Sequence, residues 1–489
     1  MKILLIQPPW YGFQNISSSR VYLGLAYIGA VLEKTGDQIL ILNGETFFKK
    51  ITGGEEKITV DEESYHRNLN PEHYVFDDIV KTGLEFKPEL IGISLMTANS
   101  TAGYILAKKL KKALPGVTLI AGGVHPTLLP EEPIAKGGFD IVVRGEAEET
   151  IVELAGALKQ NKLLDSIAGI SYKKDDKITD NPARPFIKNL DALPFPAFHL
   201  VHNLEKQLSS CKGIISSRGC PFECNYCASK LLWTRAVRFR SAANVVAEIK
   251  DRHDKLGISN FSFHDDTFTL NKKYVEEFCG LVSALDFKIS WHCDTRGDTL
   301  DYPLLKKMKK AGCRHIYLGL ESGSPKIQKM IKKNLSTDKV KNAVNAARRA
   351  GVETTLYFMA GFPEETEEDI LLSLKAMQEI NPDHTIWSIL TPYPGTDIWN
   401  LAESKGLVNR NTDWSNYFHH YNQGNIFGGI TKETWDRLIV RVFAEQEKQN
   451  RRFTIIKFRK KIVVLRDQVR LAAREPKRAL TYLKRKIKI

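Results

Sequence analysis

The sequence predicts an α/β chain with two parallel sheets and a basic helical tail, because apolar strand-like runs alternate with helical segments over most of its length. Two further observations support this prediction. The strand-like runs end in polar or glycine-rich segments, and basic residues concentrate after residue 450. At 489 residues and 43% apolar content, the chain is long enough for two or three domains with packed cores.

Residues 1–174 are predicted to form a doubly wound parallel sheet of the flavodoxin or Rossmann type. Helices are expected at about 21–34, 101–114 and 146–160, whereas a polar insert at about 50–75 has no clear periodicity and is expected to be a loop. The predicted strands are Lys2–Ile6, Gln38–Leu42, Glu89–Leu95, Val117–Ala121 and Asp140–Arg144.

The carboxyl ends of these strands carry the first group of candidate site residues, because ligands of open parallel sheets bind at that edge. Glycines there let the backbone approach a large flat ligand closely. The residue types alone do not name the ligand, and a purely structural role for the glycines stays open. The candidates are Ser94, Thr97, Gly122, Gly123, His125, Gly145 and Glu146.

A proline-punctuated connector, residues 175–212, precedes a predicted partial (β/α)6 barrel at 213–405. Six strand–helix units support the barrel, and Ser241 is the expected N-cap of its first long helix. Active residues of such barrels lie at the carboxyl ends of the strands, and each of these ends is polar. The predicted strands are Gly213–Ser217, Asn260–Phe263, Ile289–Cys293, His315–Leu320, Glu353–Phe358 and Thr385–Leu390.

Three cysteines with the spacing Cys-x-x-x-Cys-x-x-Cys follow the first barrel strand: Cys220, Cys224 and Cys227. Three thiolates on one loop can hold three irons of a cubane cluster and leave the fourth iron open to substrate. A zinc site would need a fourth Cys or His, and none lies nearby at a regular spacing. The other cysteines are expected to be buried or free thiols in a reducing compartment, namely Cys211, Cys279, Cys293 and Cys313.

The cysteine loop, with the aromatic Tyr226 directly before its last cysteine, resembles that of the radical S-adenosylmethionine (SAM) enzymes. The resemblance implies a 4Fe–4S cluster whose open iron chelates the amino and carboxylate groups of SAM. One-electron reduction then cleaves SAM to methionine and a 5′-deoxyadenosyl radical. Cys220, Cys224 and Cys227 are therefore predicted as cluster ligands that initiate the chemistry.

The same resemblance implies a set of SAM contacts on the barrel rim. Either Asp265 or Asp266 is expected near the methionyl ammonium, and Glu321 with Ser322 on the ribose side. The segment 358–362 resembles the one that packs on adenine, although relatives often carry glycine where this chain has Glu364. The remaining predicted SAM contacts are Phe222, Tyr226, Arg296 and Gly361.

Two strand-end motifs extend the resemblance to the cobalamin-binding branch of this family, over about residues 1–405. They are Gly-Gly-x-His-Pro-Thr at 122–127 and Arg-Gly-Glu-x-Glu at 144–148. The seven strand-end candidates are thereby assigned to cobalamin. The N-terminal region lacks the Asp-x-His-x-x-Gly motif that places a histidine under cobalt, so cobalamin is expected without a histidine ligand. His125 is expected to shape the pocket loop, and a position closer to cobalt is the alternative.

Residues 406–489 are predicted to form a C-terminal region with basic amphipathic helices. The last 40 residues contain 15 Lys/Arg and 2 Asp/Glu, so the net charge of +14 resides almost entirely in this segment. An amphipathic basic helix favours binding to a membrane surface, whereas packing on the body and binding of nucleic acid are the alternatives. One stripe at helical spacing supports the first helix: Ile455, Phe458, Ile462, Leu465 and Val469.

The resulting functional prediction is a cobalamin-dependent radical SAM methyltransferase acting on an unactivated carbon of a small-molecule or lipid substrate. By the resemblance, methylcobalamin supplies the methyl group and a second SAM remethylates the cobalt. The alternatives are a cyclase or rearrangement enzyme like the anaerobic porphyrin cyclases, and a non-catalytic cobalamin or electron carrier. A reductant such as flavodoxin or ferredoxin is expected. A cytoplasmic location, peripheral at the membrane, is expected because no signal peptide or spanning segment is evident.

Overall fold

The computed structural model describes residues 1–16, 21–49, 62–417 and 426–474, with the side chains of these residues through 455 except those of residues 62, 63 and 209. It contains two large parallel sheets and a short antiparallel pair. The N-terminal strands are β1 (Lys2–Gln7), β2 (Gln38–Asn43), β3 (Leu90–Ser94), β4 (Thr118–Gly122), β5 (Ile141–Val143), β6 (Ile170–Lys174) and β7 (Lys177–Asp180). The later strands are β8 (Gly213–Ile214), β9 (Ser217–Arg218), β10 (Arg238–Phe239), β11 (Asn260–Phe263), β12 (Ser290–Thr295), β13 (Cys313–Glu321), β14 (Glu353–Ala360) and β15 (His384–Ile389).

The N-terminal sheet has the strand order β2-β1-β3-β4-β5-β6-β7, and the first five of these strands run parallel. This confirms the predicted doubly wound sheet. Strand order reverses beside β1, and ligands of such sheets bind at that point, outside the carboxyl ends of the strands. The hairpin β6–β7, which extends the sheet in an antiparallel sense, was not predicted.

Six helices accompany the N-terminal strands: α1 (Leu23–Glu33), α2 (Glu62–Asn68), α3 (Tyr74–Phe86), α4 (Ser100–Ala113), α5 (Val124–Leu128) and α6 (Glu148–Lys159). The expectation of a loop up to residue 75 is wrong for α2 and for the start of α3. Helix α2 is anchored by one fully buried side chain, Tyr65, so its polar sequence shows no apolar periodicity. The part of that insert at 50–61 lies outside the described residues.

The second sheet has the order β8-β11-β12-β13-β14-β15, with every neighbouring pair parallel and the six strands in the order in which they occur along the chain. This confirms the predicted partial barrel. Its helices are α7 (Ser229–Trp233), α8 (Ala242–Leu256), α9 (Lys272–Ser283), α10 (Tyr302–Lys310), α11 (Pro325–Met330), α12 (Thr337–Ala350), α13 (Glu367–Ile380) and α14 (Asp397–Ser404). Ser241 caps α8 as predicted, because its hydroxyl accepts a hydrogen bond from the backbone N–H of Asn244.

A final long helix, α15 (Lys432–Arg474), packs along the outer edge of the barrel sheet. The side-chain amide of Asn450 bonds to both the N–H and the C=O of Thr385, and Gln446 accepts the N–H of Trp387. These two amides therefore satisfy backbone groups of β15 that have no neighbouring strand. In the ranges that the structure describes, no helix combines the length and the apolar character needed to cross a membrane.

The predicted tail helix that begins near residue 453 coincides with the second half of α15. Only the first side chains of this tail helix are described, and their surroundings differ. Phe453 packs edge-on against His384, whereas Ile455 is 53% exposed. The second predicted tail helix, after Pro476, lies outside the described residues. The basic surface of the tail therefore stays a prediction.

Candidate active site

The cysteine loop is held at both ends by the antiparallel pair β9–β10, in which Arg218 lies opposite Arg238. Gly219 directly precedes Cys220 and has a φ of +104°, and a Cβ at this position would collide with the carbonyl oxygen of Ala236. A short local sequence thus turns the chain sharply out of β9 and presents Cys220, Cys224 and Cys227 at the carboxyl end of the barrel.

The three thiols of this loop fit a cluster better than a single ion. They are half-buried, and Cys224 interacts electrostatically with both other thiols. No three ligating side chains in the described residues converge on one metal ion, as they would at a zinc site. In a cubane each cysteine instead binds a different iron. Burial raises the pKa of the Cys227 thiol to about 11, so bound iron is needed to keep it as a thiolate.

Three carboxylates lie at the carboxyl ends of the neighbouring barrel strands β11 and β12, close to the cysteine loop. Asp265 is buried and accepts hydrogen bonds from the hydroxyls of Ser216 and Ser217, so it fixes the segment before the loop. Asp266 is exposed and accepts a hydrogen bond from Ser229 at 2.6 Å. Asp294 was not among the predicted site residues. Burial, and then the charges of Asp265 and Asp266, raise its pKa to about 7, which makes it a group that a nearby cation would ionise.

Two cationic side chains contact aromatic residues of the cysteine loop. The guanidinium of Arg296 stacks on the ring of Phe222 at 3.8 Å and forms two hydrogen bonds of 3.0 Å with Asp298. Lys333 is buried and lies 2.8 Å from Glu321 and 3.4 Å from the hydroxyl of Tyr226. Sequence reasoning missed Lys333, because nothing in its loop distinguishes it from the adjacent lysine.

Of the two SAM contacts predicted after β13, Glu321 and Ser322, only one has its side chain beside the cysteine loop. Glu321 has a φ of +71° at a bulge in β13, which is a strained conformation for a residue with a side chain. The hydroxyl of Ser322 is fully buried and engaged by Ser373 and by the N–H of Ser324. Ser322 therefore supports the turn after β13, and the Glu321 carboxylate is the group of this pair that lies beside the loop.

A cavity of about 300 Å³ lies between Tyr226 and the carboxyl ends of β14 and β15. Its lining is mostly apolar and includes Met359 and Leu390, as an adenine ring requires. Gly361 directly follows β14, and its N–H donates to the buried carboxylate of Glu365 at 2.5 Å. Glu364, which replaces the glycine of relatives, has a φ of +58° and is exposed, so the backbone there keeps a glycine-like conformation.

Glu365 gives the fold a specific pH dependence. Burial raises its pKa to about 8, against the opposing effect of hydrogen bonds from Gly361 and Phe362. Because the folded-state pKa lies above the unfolded one, stability is fully present at low pH and falls as pH rises towards 8, by about 1.4 kcal/mol per unit at most. We expect Glu365→Gln to lack this loss, measured as thermal unfolding midpoints at pH 6 and 8.5. The exposed neighbour provides the control: Glu364→Gln should keep the wild-type pH dependence, and an unchanged Glu365→Gln would contradict the assignment.

The carboxyl ends of β3, β4 and β5 form an open edge of small residues, Ser94, Gly122, Gly123 and Gly145, which we call the lip. Gly123 has φ +105° and ψ −169°, and a Cβ there would lie 2.7 Å from the carbonyl oxygen of Leu95. A Cβ on Gly145 would project into open space, and one on Gly122 would meet a single carbonyl at 3.9 Å. Ser94 is half-buried beside Gly123. Such a glycine cradle fits a large flat group such as the corrin ring of cobalamin.

His125 lies under this lip and is fully buried. One ring nitrogen is 3.0 Å from the hydroxyl of Tyr104 and the other is 3.3 Å from that of Thr97. Trp414 packs edge-on against the imidazole and donates to Glu132 at 2.7 Å, so the segment after the barrel reaches back to this loop. Both nitrogens are thus engaged within the protein, and His125 and Thr97 brace the loop from inside.

Glu146 faces the cysteine loop. Its carboxylate binds Arg218 at 2.6 Å and Arg238 at 2.8 Å, and it accepts the N–H of Ile187. Glu148 holds the second nitrogen of the Arg218 guanidinium. Both acidic side chains of the Arg-Gly-Glu-x-Glu motif therefore form ion pairs with the arginines at the two ends of the cysteine loop. The linear sequence did not reveal these ion pairs.

Comparisons with known proteins agree with this geometry. The radical SAM superfamily matches residues 214–377, and the B12 binding domain family matches residues 21–155. An uncharacterized methyltransferase of Pyrococcus horikoshii is 33% identical over 85% of this chain and 86% of its own length. The anaerobic magnesium-protoporphyrin IX monomethyl ester cyclase of Synechocystis is 26% identical over 86% of this chain and 81% of its own.

A solved structure gives the same fold. The radical SAM methyltransferase TsrM from Kitasatospora setae, with tryptophan and a SAM analogue bound, superimposes with a TM-score of 0.67 at 16% identity. It covers 84% of this chain, and this chain covers 79% of it. The two family matches indicate the cofactors of this protein, which are SAM with the 4Fe–4S cluster of the radical SAM enzymes, and cobalamin. The chain belongs to the cobalamin-binding radical SAM enzymes, among the methyltransferases.

Proposed function

We propose that this methyltransferase adds a methyl group to an unactivated carbon of a small-molecule substrate bound between its two cofactor regions. The observation that carries the proposal is the approach of those regions. Helix α5 begins directly after Gly123, α7 begins two residues after Cys227, and the two helices lie against each other. A substrate at this junction is within reach of both a radical from the cluster side and a methyl group from the cobalamin side.

Within this proposal, Asp266 and Asp294 receive the ammonium group of SAM, and the cavity beside Tyr226 receives its adenine. Both carboxylates lie at strand ends next to the cysteine loop, and the cationic methionyl group favours their ionised form. Glu321, which Lys333 holds in place, is the proposed contact on the ribose side. His125 is engaged on both sides within the protein, so it is not the proposed ligand of cobalt.

The proposed reaction consumes two molecules of SAM. The loop of Cys220, Cys224 and Cys227 would hold the cluster that gives one electron to the first SAM. That SAM would split into methionine and an adenosyl radical, which would take a hydrogen atom from the substrate carbon and leave as 5′-deoxyadenosine. The second SAM would give its methyl group to cobalamin at the N-terminal lip and leave as S-adenosylhomocysteine, and the methyl group would then pass to the substrate carbon. An external reductant supplies the electrons.

Product analysis tests the proposal. The protein, loaded with cluster and cobalamin under anaerobic conditions, is incubated with SAM and dithionite. We expect both 5′-deoxyadenosine and S-adenosylhomocysteine, and a substrate that gains the mass of one methylene unit. A carrier protein would form neither nucleoside product, and their absence would overturn the proposal.

Ring closure is the second candidate, favoured by the cyclase of Synechocystis that matches most of both chains. It would produce 5′-deoxyadenosine without S-adenosylhomocysteine and without the added methylene mass. The same incubation therefore separates the two candidates.

We also propose that the basic tail attaches the enzyme to anionic membranes. The segment after residue 450 carries 15 basic and 2 acidic residues, and its apolar stripe has helical spacing. We expect the full chain, and not a chain ending at Ile455, to co-sediment with phosphatidylserine vesicles in low salt. The cut falls at 455 because Asn450 and Phe453 contact the barrel. Equal binding by both chains would contradict the proposal.

A further inference from the structure

A buried ion-pair cluster connects the cobalamin lip to the cysteine loop. Glu146 and Glu148 come from the turn and helix after β5, whereas Arg218 and Arg238 lie at the two ends of the cysteine loop. The side chains of Arg218, Glu146 and Glu148 are 8%, 3% and 8% exposed. We call these four side chains the bridge cluster.

The geometry of the bridge cluster is specific to arginine and to two carboxylates. Arg218 uses one terminal nitrogen for Glu146 and the other for Glu148. Glu146 also receives Arg238, so one carboxylate touches both ends of the cysteine loop. A lysine would offer a single ammonium point and could not span the two carboxylates in this fork.

Such a cluster adds little to the free energy of folding, but it fixes the relative positions of the segments that it joins. Two guanidinium and two carboxylate groups balance in charge, and removing them from water costs roughly what their attraction returns. Their directional hydrogen bonds, however, fix the positions of the loops they join. The rings of Tyr27 and Trp233 flank Arg218 at 5.9 and 5.7 Å, which confines the guanidinium further.

We propose that the bridge cluster is a positioning element that sets the separation of the two cofactors, so that methyl transfer from SAM to cobalamin depends on it more than SAM cleavage does. The inference rests on the proposed function. Cleavage of SAM needs only the barrel rim and the cluster. Transfer of the methyl group needs SAM, held at the cysteine loop, to meet a cofactor held by the N-terminal lip. A displacement between those two parts therefore affects the second process selectively.

The test measures two products from one holoenzyme without any methyl-accepting substrate. Reductive cleavage is followed as 5′-deoxyadenosine, and attack of reduced cobalamin on the SAM methyl group is followed as S-adenosylhomocysteine. In the second process a cobalt–carbon bond forms, the sulfur–methyl bond breaks, and dithionite supplies the electrons that reduce cobalt. The variants are Glu148→Gln, which removes one charge but keeps the shape, and Arg218→Lys, which keeps the charge but loses the fork. Glu149→Gln, an exposed carboxylate in the same helical turn, is the matched control.

In both variants we expect S-adenosylhomocysteine formation to fall at least about tenfold while 5′-deoxyadenosine formation stays within about threefold, because a displacement near 1 Å is costly only where two bound groups must meet. Iron content, bound cobalamin and the KM for SAM should match the control, so that the loss resides in kcat. Equal loss of both products, loss of neither, or loss of iron from the variants would overturn the inference. If the wild-type enzyme forms neither product, the proposed function fails instead.

Discussion

Cys224→Ala is expected to abolish formation of 5′-deoxyadenosine from SAM. The remaining two thiolates leave a cubane short of one ligand, and the opened loop has no fourth cysteine or histidine to replace it. SAM binding should be lost with the cluster, because the family resemblance implies an open iron that would chelate its amino and carboxylate groups. S-adenosylhomocysteine should therefore disappear as well. Both nucleosides are measured by mass spectrometry after anaerobic incubation with dithionite.

The matched control for this variant is Cys279→Ala. Cys279 is buried in α9, outside the loop, and its removal deletes a thiol without touching the cluster ligands. It should keep iron, labile sulfide and the electron paramagnetic resonance signal of the reduced cluster. Wild-type rates of 5′-deoxyadenosine formation in Cys224→Ala would show that the radical arises elsewhere.

Gly123→Ala is expected to remove bound cobalamin while SAM cleavage continues. The backbone of Gly123 occupies a region that only glycine adopts readily, and a Cβ would press on the carbonyl oxygen of Leu95 at 2.7 Å. Moving the backbone to relieve this contact costs roughly 1–3 kcal/mol, or about 5- to 150-fold in an equilibrium constant. The lip that should cradle the corrin would then be displaced. Retained cobalamin is measured by its visible absorption after gel filtration.

Gly116→Ala provides the comparison for the lip variant. Gly116 lies in the turn before β4, and a Cβ there meets nothing within 4 Å. This variant should keep cobalamin at the wild-type level. If Gly123→Ala also keeps it, the glycine has only a structural role and the cofactor is held by other parts of the sheet edge.

Some regular elements have signals that are strong and local. Strand β11 has its predicted bounds, Asn260–Phe263. The ends of helix α12 are also encoded locally, because Ser336 caps its first turn and Gly351 ends it in a left-handed conformation. The hairpin β6–β7 could not be predicted, since β7 is largely exposed on both faces and carries no apolar alternation.

The site residues also differ in how far their interactions extend along the sequence. The three cysteines share one loop, so their spacing, together with the family pattern, predicts the cluster site. The partners of Glu146 are 72 and 92 residues away, and an ion pair across such a distance leaves no local pattern. Lys333 pairs with Glu321 across helix α11, but the sequence offers an adjacent lysine, Lys332, that is equally suitable by residue type. Sequence patterns therefore located the strand ends, whereas side-chain pairing between them required the fold.

The two amides that Asn450 and Gln446 place along β15 have a consequence for how the molecule behaves in solution. An uncovered edge strand is a template on which a second chain can add its own strand. Loss of α15, by truncation or proteolysis before residue 446, would expose the N–H groups of Thr385 and Trp387. The shortened enzyme should then self-associate through its barrel sheet, so α15 acts as a guard against polymerisation as well as a support for the tail.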